Sequence, residues 1–113
     1  IGAGDFELDD EIYWKLHFDP NVQILAKTNC KHAQGSPQMW SLEEGKARTF
    51  SSIPGHWHVT FSIPQYRAVL LRGIAWAGHR KADLLTTPEE VKFLAKPKNG
   101  PKIDKKTGKP EIP

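Results

Sequence analysis

Ile12, Trp14, Leu16 and Phe18 alternate with Tyr13, Lys15 and His17. A period of two places the first set on one face of a pleated strand, so residues 12–18 read as a half-buried strand ended by the turn Asp19-Pro20-Asn21. Val22–Lys27 then reads as the returning strand of a hairpin. Thr28–Gln38 is a polar loop around Gly35-Ser36-Pro37, and two short strands, Met39–Leu42 and Ala47–Phe50, flank a turn at Glu43-Glu44-Gly45-Lys46. A second clean alternation follows, with Trp57, Val59, Phe61 and Ile63 on one face and His56, His58, Thr60 and Ser62 on the other. Pro64-Gln65 reads as a tight connection to a strand over Tyr66–Arg72, which Gly73–Ala77 continues. Thr87-Pro88-Glu89-Glu90 is a helix start: Thr87 at the N-cap, Pro88 at the first helical position and Glu90 closing a capping box. That helix is short and stops before Pro97. The pattern as a whole predicts an α+β fold, a mostly antiparallel twisted sheet with a short C-terminal helix and a basic tail.

Length sets the scale: 113 residues make one domain. The expected division is an acidic arm at 1–10, a globular domain at 11–96 and a lysine-rich extended tail at 97–113. Charge follows it, with six acids and one base in residues 1–25 and seven lysines against two acids in residues 92–113. A chain polarised in this way invites a polyanion at its basic end. No apolar run approaches the roughly 20 residues that span a bilayer, so no membrane partner is expected. Ile1-Gly-Ala-Gly-Asp5 lacks the character of a secretory leader, and the missing initial Met points to a piece of a longer or processed protein. A cytoplasmic location is expected, or delivery into a target cell as part of a larger secreted protein. Cys30 stands alone, which excludes an internal disulfide and reads as a buried or idle thiol.

The chemistry concentrates between Gly55 and Lys81, which hold three of the five histidines. On a strand, His56 and His58 project from one face roughly 6–7 Å apart, with Thr60 next in line. Imidazoles so placed suit general acid–base work near neutral pH, or two-ligand metal binding; the bland alternative is a pair of exposed histidines without a role. Arg67, Arg72 and Arg80, with Lys81, provide the planar forks and charge of an anion site. Tyr13, Trp40 and Tyr66 are candidates for stacking on bases, while Trp14, Trp57 and Trp76 read as core. Lys96, Lys98 and Lys102 on the tail would contact a nucleic acid non-specifically.

Tyr66-Arg67-Ala-Val-Leu-Leu, Ile74-Ala-Trp-Ala-Gly-His79-Arg80-Lys81 and Thr86-Thr-Pro-Glu-Glu-Val-Lys92 together resemble the C-terminal half of RelE/HigB-type toxin ribonucleases, which share a fold with barnase, EndoU and colicin tRNases. The resemblance implies a metal-independent endoribonuclease that cleaves RNA by 2′-hydroxyl attack, with no cofactor. Arg67 and Arg80 would bind phosphate, His56 or His58 would be general base and His79 general acid. RNA would be the substrate, and a cognate antitoxin or immunity protein a possible partner. The sequence departs from the family in spacing, with only ten residues between Arg67 and Gly78, and in lacking long N-terminal helices. A domain from the end of a polymorphic toxin fits those departures best. The alternative is a non-enzymatic nucleic-acid or protein-interaction module. A third reading, a metal-dependent nickase, rests on the likeness of His56-Trp-His58-Val-Thr-Phe to the HUH motif, with Tyr66 as nucleophile.

Overall fold

The computed structural model describes residues 3–94. Its sheet has three antiparallel strands in the order β1-β2-β3: β1 (Gln23–Lys27), β2 (Pro37–Glu44) and β3 (Ala47–Ser52). A 3-10 turn over His58–Ser62 leads into helix α1 (Pro64–Ala77), and α2 (Pro88–Leu94) closes the described chain. The architecture is α+β on an antiparallel sheet, the expected fold class, but its strands are the short runs at 23–27, 37–44 and 47–52 and not the two alternating stretches. Lys96, Lys98, Lys102 and the tail at 97–113 lie outside the described residues.

The hairpin of β2 and β3 follows directly from its sequence. Glu44 pairs with Ala47 across a two-residue loop whose first position is Gly45 at φ +59°, a backbone angle that glycine adopts without strain. β1 pairs with β2 rather than with the segment before it, and an irregularity between Ile24 and Lys27 shifts its register. The loop between them closes on itself where the Thr28 N–H donates to the Ser36 carbonyl at 2.9 Å and the Gly35 N–H to the Thr28 carbonyl at 2.8 Å. The capping box also forms as expected: the Glu90 N–H donates to Thr87 Oγ1 at 3.2 Å and the Thr87 N–H to Glu90 Oε2 at 2.7 Å.

Three expected strands are not strands. Over residues 12–18 the chain is irregular. Lys15 at φ +57° breaks the pleat, and Trp14 and Leu16 are left exposed at 45% and 43%. Ile12 and Phe18 are half-buried, and Phe18 lies edge-on to Trp40 with ring centroids 4.9 Å apart. Trp57–Ile63 loses its alternation: Trp57, Val59 and Phe61 are exposed along with His58 and Ser62, and Thr60 is buried. The stretch read as Tyr66–Arg72 and Gly73–Ala77 is one helix of 14 residues. Its buried positions Tyr66, Val69 and Gly73 recur at helical spacing, and Pro64 occupies the first turn, where its missing N–H costs nothing. A short apolar run fits either a strand or a buried helix face, and here the helix wins because one face meets a sheet.

Gly73 permits that meeting. A Cβ at this position would lie 2.4 Å from Phe50 Cδ1 on β3, so the helix approaches the sheet at a distance only glycine allows. The core consists of Met39, Tyr66, Ala68, Val69 and Leu94, with Phe6, Leu8, Leu25, Phe50, Ile63 and Leu70 packed around it. Phe6 and Leu8 thereby lay the N-terminal segment against the body of the protein. Among the described residues, no helix is long and apolar enough to cross a membrane.

Candidate functional site

Asp10 is the organising residue of the polar surface. Its carboxylate accepts the backbone N–H groups of Gly55 at 3.0 Å and His56 at 3.1 Å, with that of Trp57 at 3.5 Å. The Thr60 hydroxyl also donates to it. Burial alone would raise the Asp10 carboxyl, but the Thr60 hydroxyl and the amides of Glu11, Trp57 and Gly55 outweigh it and hold the group below its ordinary value. These bonds explain why 57–63 is not a strand. The amides of Gly55, His56 and Trp57 point at one carboxylate 45 to 47 residues earlier, and the Thr60 hydroxyl is drawn inward with them. The Thr60 and Ile63 N–H groups close 3-10 turns on the Trp57 and Thr60 carbonyls instead of joining a ladder.

The same carboxylate brings a second acid to a histidine. Glu11 donates its own backbone N–H to Asp10 Oδ1 at 2.6 Å, and Glu11 Oε2 lies 3.4 Å from Nδ1 of His56. The Trp57 ring stands edge-on to the His56 ring, with centroids 4.8 Å apart. Glu11, His56, Trp57 and His58 are all exposed, so the cluster faces solvent. Asp10 and Glu11 also line an open cleft of about 610 Å³ between the N-terminal segment and the β1–β2 sheet. Lys27, Asn29 and Gln38 add polar groups to its lining, while Ile24, Met39 and Val69 make it apolar elsewhere. Gln38 is itself buried, its Nε2 donating to the carbonyls of Tyr13 at 3.0 Å and Pro37 at 2.9 Å, and its Oε1 is buried without a hydrogen-bond partner.

The remaining sequence-predicted residues are not gathered here. Tyr66, expected at a nucleic-acid surface or as a nucleophile, is 1% exposed and sits in the core. Its hydroxyl donates to the Pro54 carbonyl at 2.6 Å and meets Ser52 Oγ at 3.2 Å. Burial pushes its pKa up, reinforced by the charge of Asp10 and offset in part by Ser52, so the phenol stays neutral. Arg67 binds Glu90 at 2.8 Å, tying α1 to the capping box of α2. Arg72 binds both oxygens of Asp83, at 2.7 and 2.9 Å. His79 has φ +58° beyond the end of α1, and its Nε2 lies 2.7 Å from the carbonyl of Lys46 in the β2–β3 turn. Arg80 and Lys81 follow it, exposed. Fourteen helical residues separate the His56–His58 end from the His79–Arg80 end, about 20 Å at 1.5 Å per residue. The two groups therefore cannot act on one phosphate. Among the described residues, no three His, Cys, Asp or Glu side chains converge as metal ligands, so His56 and His58 lack the third donor that the nickase reading needs.

Asp10 and Glu11 were the residues the sequence hid. They resemble an acidic flank, and no local spacing connects them to Gly55-His56. A carboxylate facing glycine-led backbone amides is a tertiary fact.

Comparison with known proteins corrects the resemblance to toxin ribonucleases. Searches of curated proteins and of solved structures return no significant match. The family profile that does match is unrelated to RelE, HigB or other ribonucleases, and supports neither the toxin assignment nor the nucleic-acid-binding alternative. It covers residues 2–77, from the N-terminal segment through the end of α1, and thus includes Asp10, Glu11, the Gly55–Thr60 loop and the sheet. The chain belongs to the ThuA family, described as trehalose utilisation.

Proposed function

We propose that this chain serves carbohydrate utilisation by binding a sugar or related polyol in the cleft between the N-terminal segment and β1. The observation that carries the reading is the cleft itself: about 610 Å³, within the roughly 300–1,000 Å³ usual for small-molecule sites, and lined by both polar and apolar groups. A sugar needs that mixture. Its hydroxyls are donors and acceptors at once, matched by Glu11, Asn29 and the unpartnered Oε1 of Gln38, while its C–H faces rest on apolar side chains such as Ile24 and Val69. The family's description as trehalose utilisation supports the same ligand class.

Amide-resolved NMR titration with trehalose and with glucose tests it. Binding in the cleft shifts the Glu11, Asn29 and Gln38 signals while leaving those of the Arg72–Asp83 pair in place. An Asn29→Ala, Glu11→Ala double variant weakens the binding at least tenfold. Saturable shifts confined to the far end of α1, or none with either sugar, refute the reading.

A further inference from the structure

We infer that Glu11 and His56 form a proton-accepting pair, in which Glu11 fixes the imidazole so that Nε2 receives a hydroxyl proton from a polyol bound at the edge of the cleft. The hydroxyl assignment rests on the carbohydrate reading above; the pairing itself rests on geometry alone.

Nδ1 of His56 faces Glu11 Oε2 at 3.4 Å. An ionised carboxylate has no proton to give, so the favoured arrangement puts the ring proton on Nδ1. In the neutral ring that leaves the Nε2 lone pair directed away from Glu11, on a residue that is exposed. The separation is longer than a formed hydrogen bond, as such contacts often are before a ligand draws them together.

Preorganisation distinguishes this pair from a chance surface contact. The backbone N–H of His56 and that of Glu11 both donate to one atom, Asp10 Oδ1, at 3.1 and 2.6 Å. Residues 45 apart are thus pinned through their own main chains to a common point, which brings their side chains within reach of each other. Trp57 packs edge-on to the imidazole at an interplanar angle of 81°. Glu11 lines the cleft; His56 is not part of the lining and stands beside it on the Glu11 side, in reach of a ligand that extends past that carboxylate.

The transfer moves one proton. The hydroxyl O–H proton passes to Nε2, the oxygen keeps the bonding electron pair, and the imidazolium that results faces the Glu11 carboxylate. His56 touches the ligand; Glu11 acts through it, as a positioning residue. His79 offers the opposite case in the same molecule. Its Nε2 approaches a carbonyl, which can only accept, so its proton belongs on Nε2 and that nitrogen has no lone pair to offer.

Imidazole nitrogen–proton correlation spectra at about pH 8.5, well above the ordinary histidine pKa, read the tautomers directly. The expected result is His56 protonated on Nδ1 and His79 on Nε2. Glu11→Ala should shift His56 toward Nε2–H, and Glu11→Gln, whose amide oxygen still accepts, should preserve the Nδ1–H form. A His56 found as Nε2–H, or one indifferent to Glu11→Ala, overturns the pair. Adding trehalose or glucose should then shift the His56 Nε2 resonance together with the Asn29 and Gln38 signals. If the cleft signals move and Nε2 does not, the hydroxyl assignment is wrong while the carbohydrate reading stands. If the tautomer is as inferred but neither sugar moves any signal, the carbohydrate reading and the hydroxyl ligand fall together and only the pair survives.

Discussion

The two ends of α1 carry the same residue types and use them in opposite ways. At the N-terminal end, Asp10 takes up the backbone of the Gly55–Trp57 loop, which leaves the His56, Trp57 and His58 side chains exposed. At the C-terminal end the side chains themselves hold the fold. His79 binds the Lys46 carbonyl, and Arg72 grips Asp83. Arg48 reaches the Trp76 carbonyl at 3.2 Å and lies 5.0 Å from the centre of its ring. His79 spends its Nε2 on a carbonyl of the fold, whereas His56 is held by its main chain and its Nε2 binds nothing among the described residues, which is what makes it available to a ligand. Composition cannot separate the two, and position in the network can.

The strongest way to break this comparison is to remove the support both ends share. Gly73→Val drives a branched side chain into Phe50, where a single Cβ already meets the ring at 2.4 Å. Overpacking of this kind costs about 3 kcal/mol. Urea denaturation should show that loss, and both ends should lose amide protection together.

Asp10→Ala acts on the near end alone. It strips the acceptor from four backbone amides and leaves the buried Thr60 hydroxyl unpaired, a loss of about 2 kcal/mol. Hydrogen exchange at Gly55 and His56 should accelerate while exchange in β2 and β3 follows only the global change. Acid does the same reversibly. The folded Asp10 carboxyl sits below its ordinary value of 3.8, so its contribution is complete above about pH 4 and disappears as pH falls through the depressed folded value. Asp83, held low chiefly by Arg72, titrates with the same sign at the far end. A global melt therefore cannot tell the ends apart. Exchange at Gly55 and His56 can, and Asp10→Asn should abolish its acid dependence there.

This division also explains what was legible beforehand. The β2–β3 hairpin and the capping box of α2 are local devices: Gly45 supplies its own turn, and Thr87 and Glu90 lie three residues apart. Sequence patterns report such devices well. The His-Trp-His stretch was visible as a place of interest, but its alternation argued for a strand. What overrode it was Asp10, a partner 45 to 50 residues distant; the separate alternation at 12–18 fails at Lys15, whose φ is positive. The arginines misled for a related reason. Arg67 and Arg72 look like an anion site until Glu90 and Asp83 are seen to neutralise them, and Glu90 reads locally as nothing more than a cap. Charge along a chain is not charge at a surface.

Arg48→Ala sharpens the account of the far end at smaller cost. Its ion pair with Glu43 is largely exposed and worth little, but the bond to the Trp76 carbonyl and the contact with the Trp76 ring bring the loss to about 1 kcal/mol. Chemical denaturation should register that change with the sugar titration unaltered.

The smallest effect is the most discriminating, because it sets the two histidines side by side. His79→Gly removes the bond to Lys46, worth about 1 kcal/mol, yet relieves a non-glycine residue of φ +58°, worth a similar amount. The terms oppose each other, and stability should change by no more than about 0.5 kcal/mol. His79→Ala loses the same bond without that relief and should cost about 1 kcal/mol. At the near end, His56→Ala removes an exposed ring whose backbone N–H still donates to Asp10, so stability again moves by less than about 0.5 kcal/mol. Sugar binding, in contrast, should weaken only in His56→Ala. If His79→Gly also weakens it, the far end contributes to ligand binding and the separation drawn between the two ends of α1 is wrong.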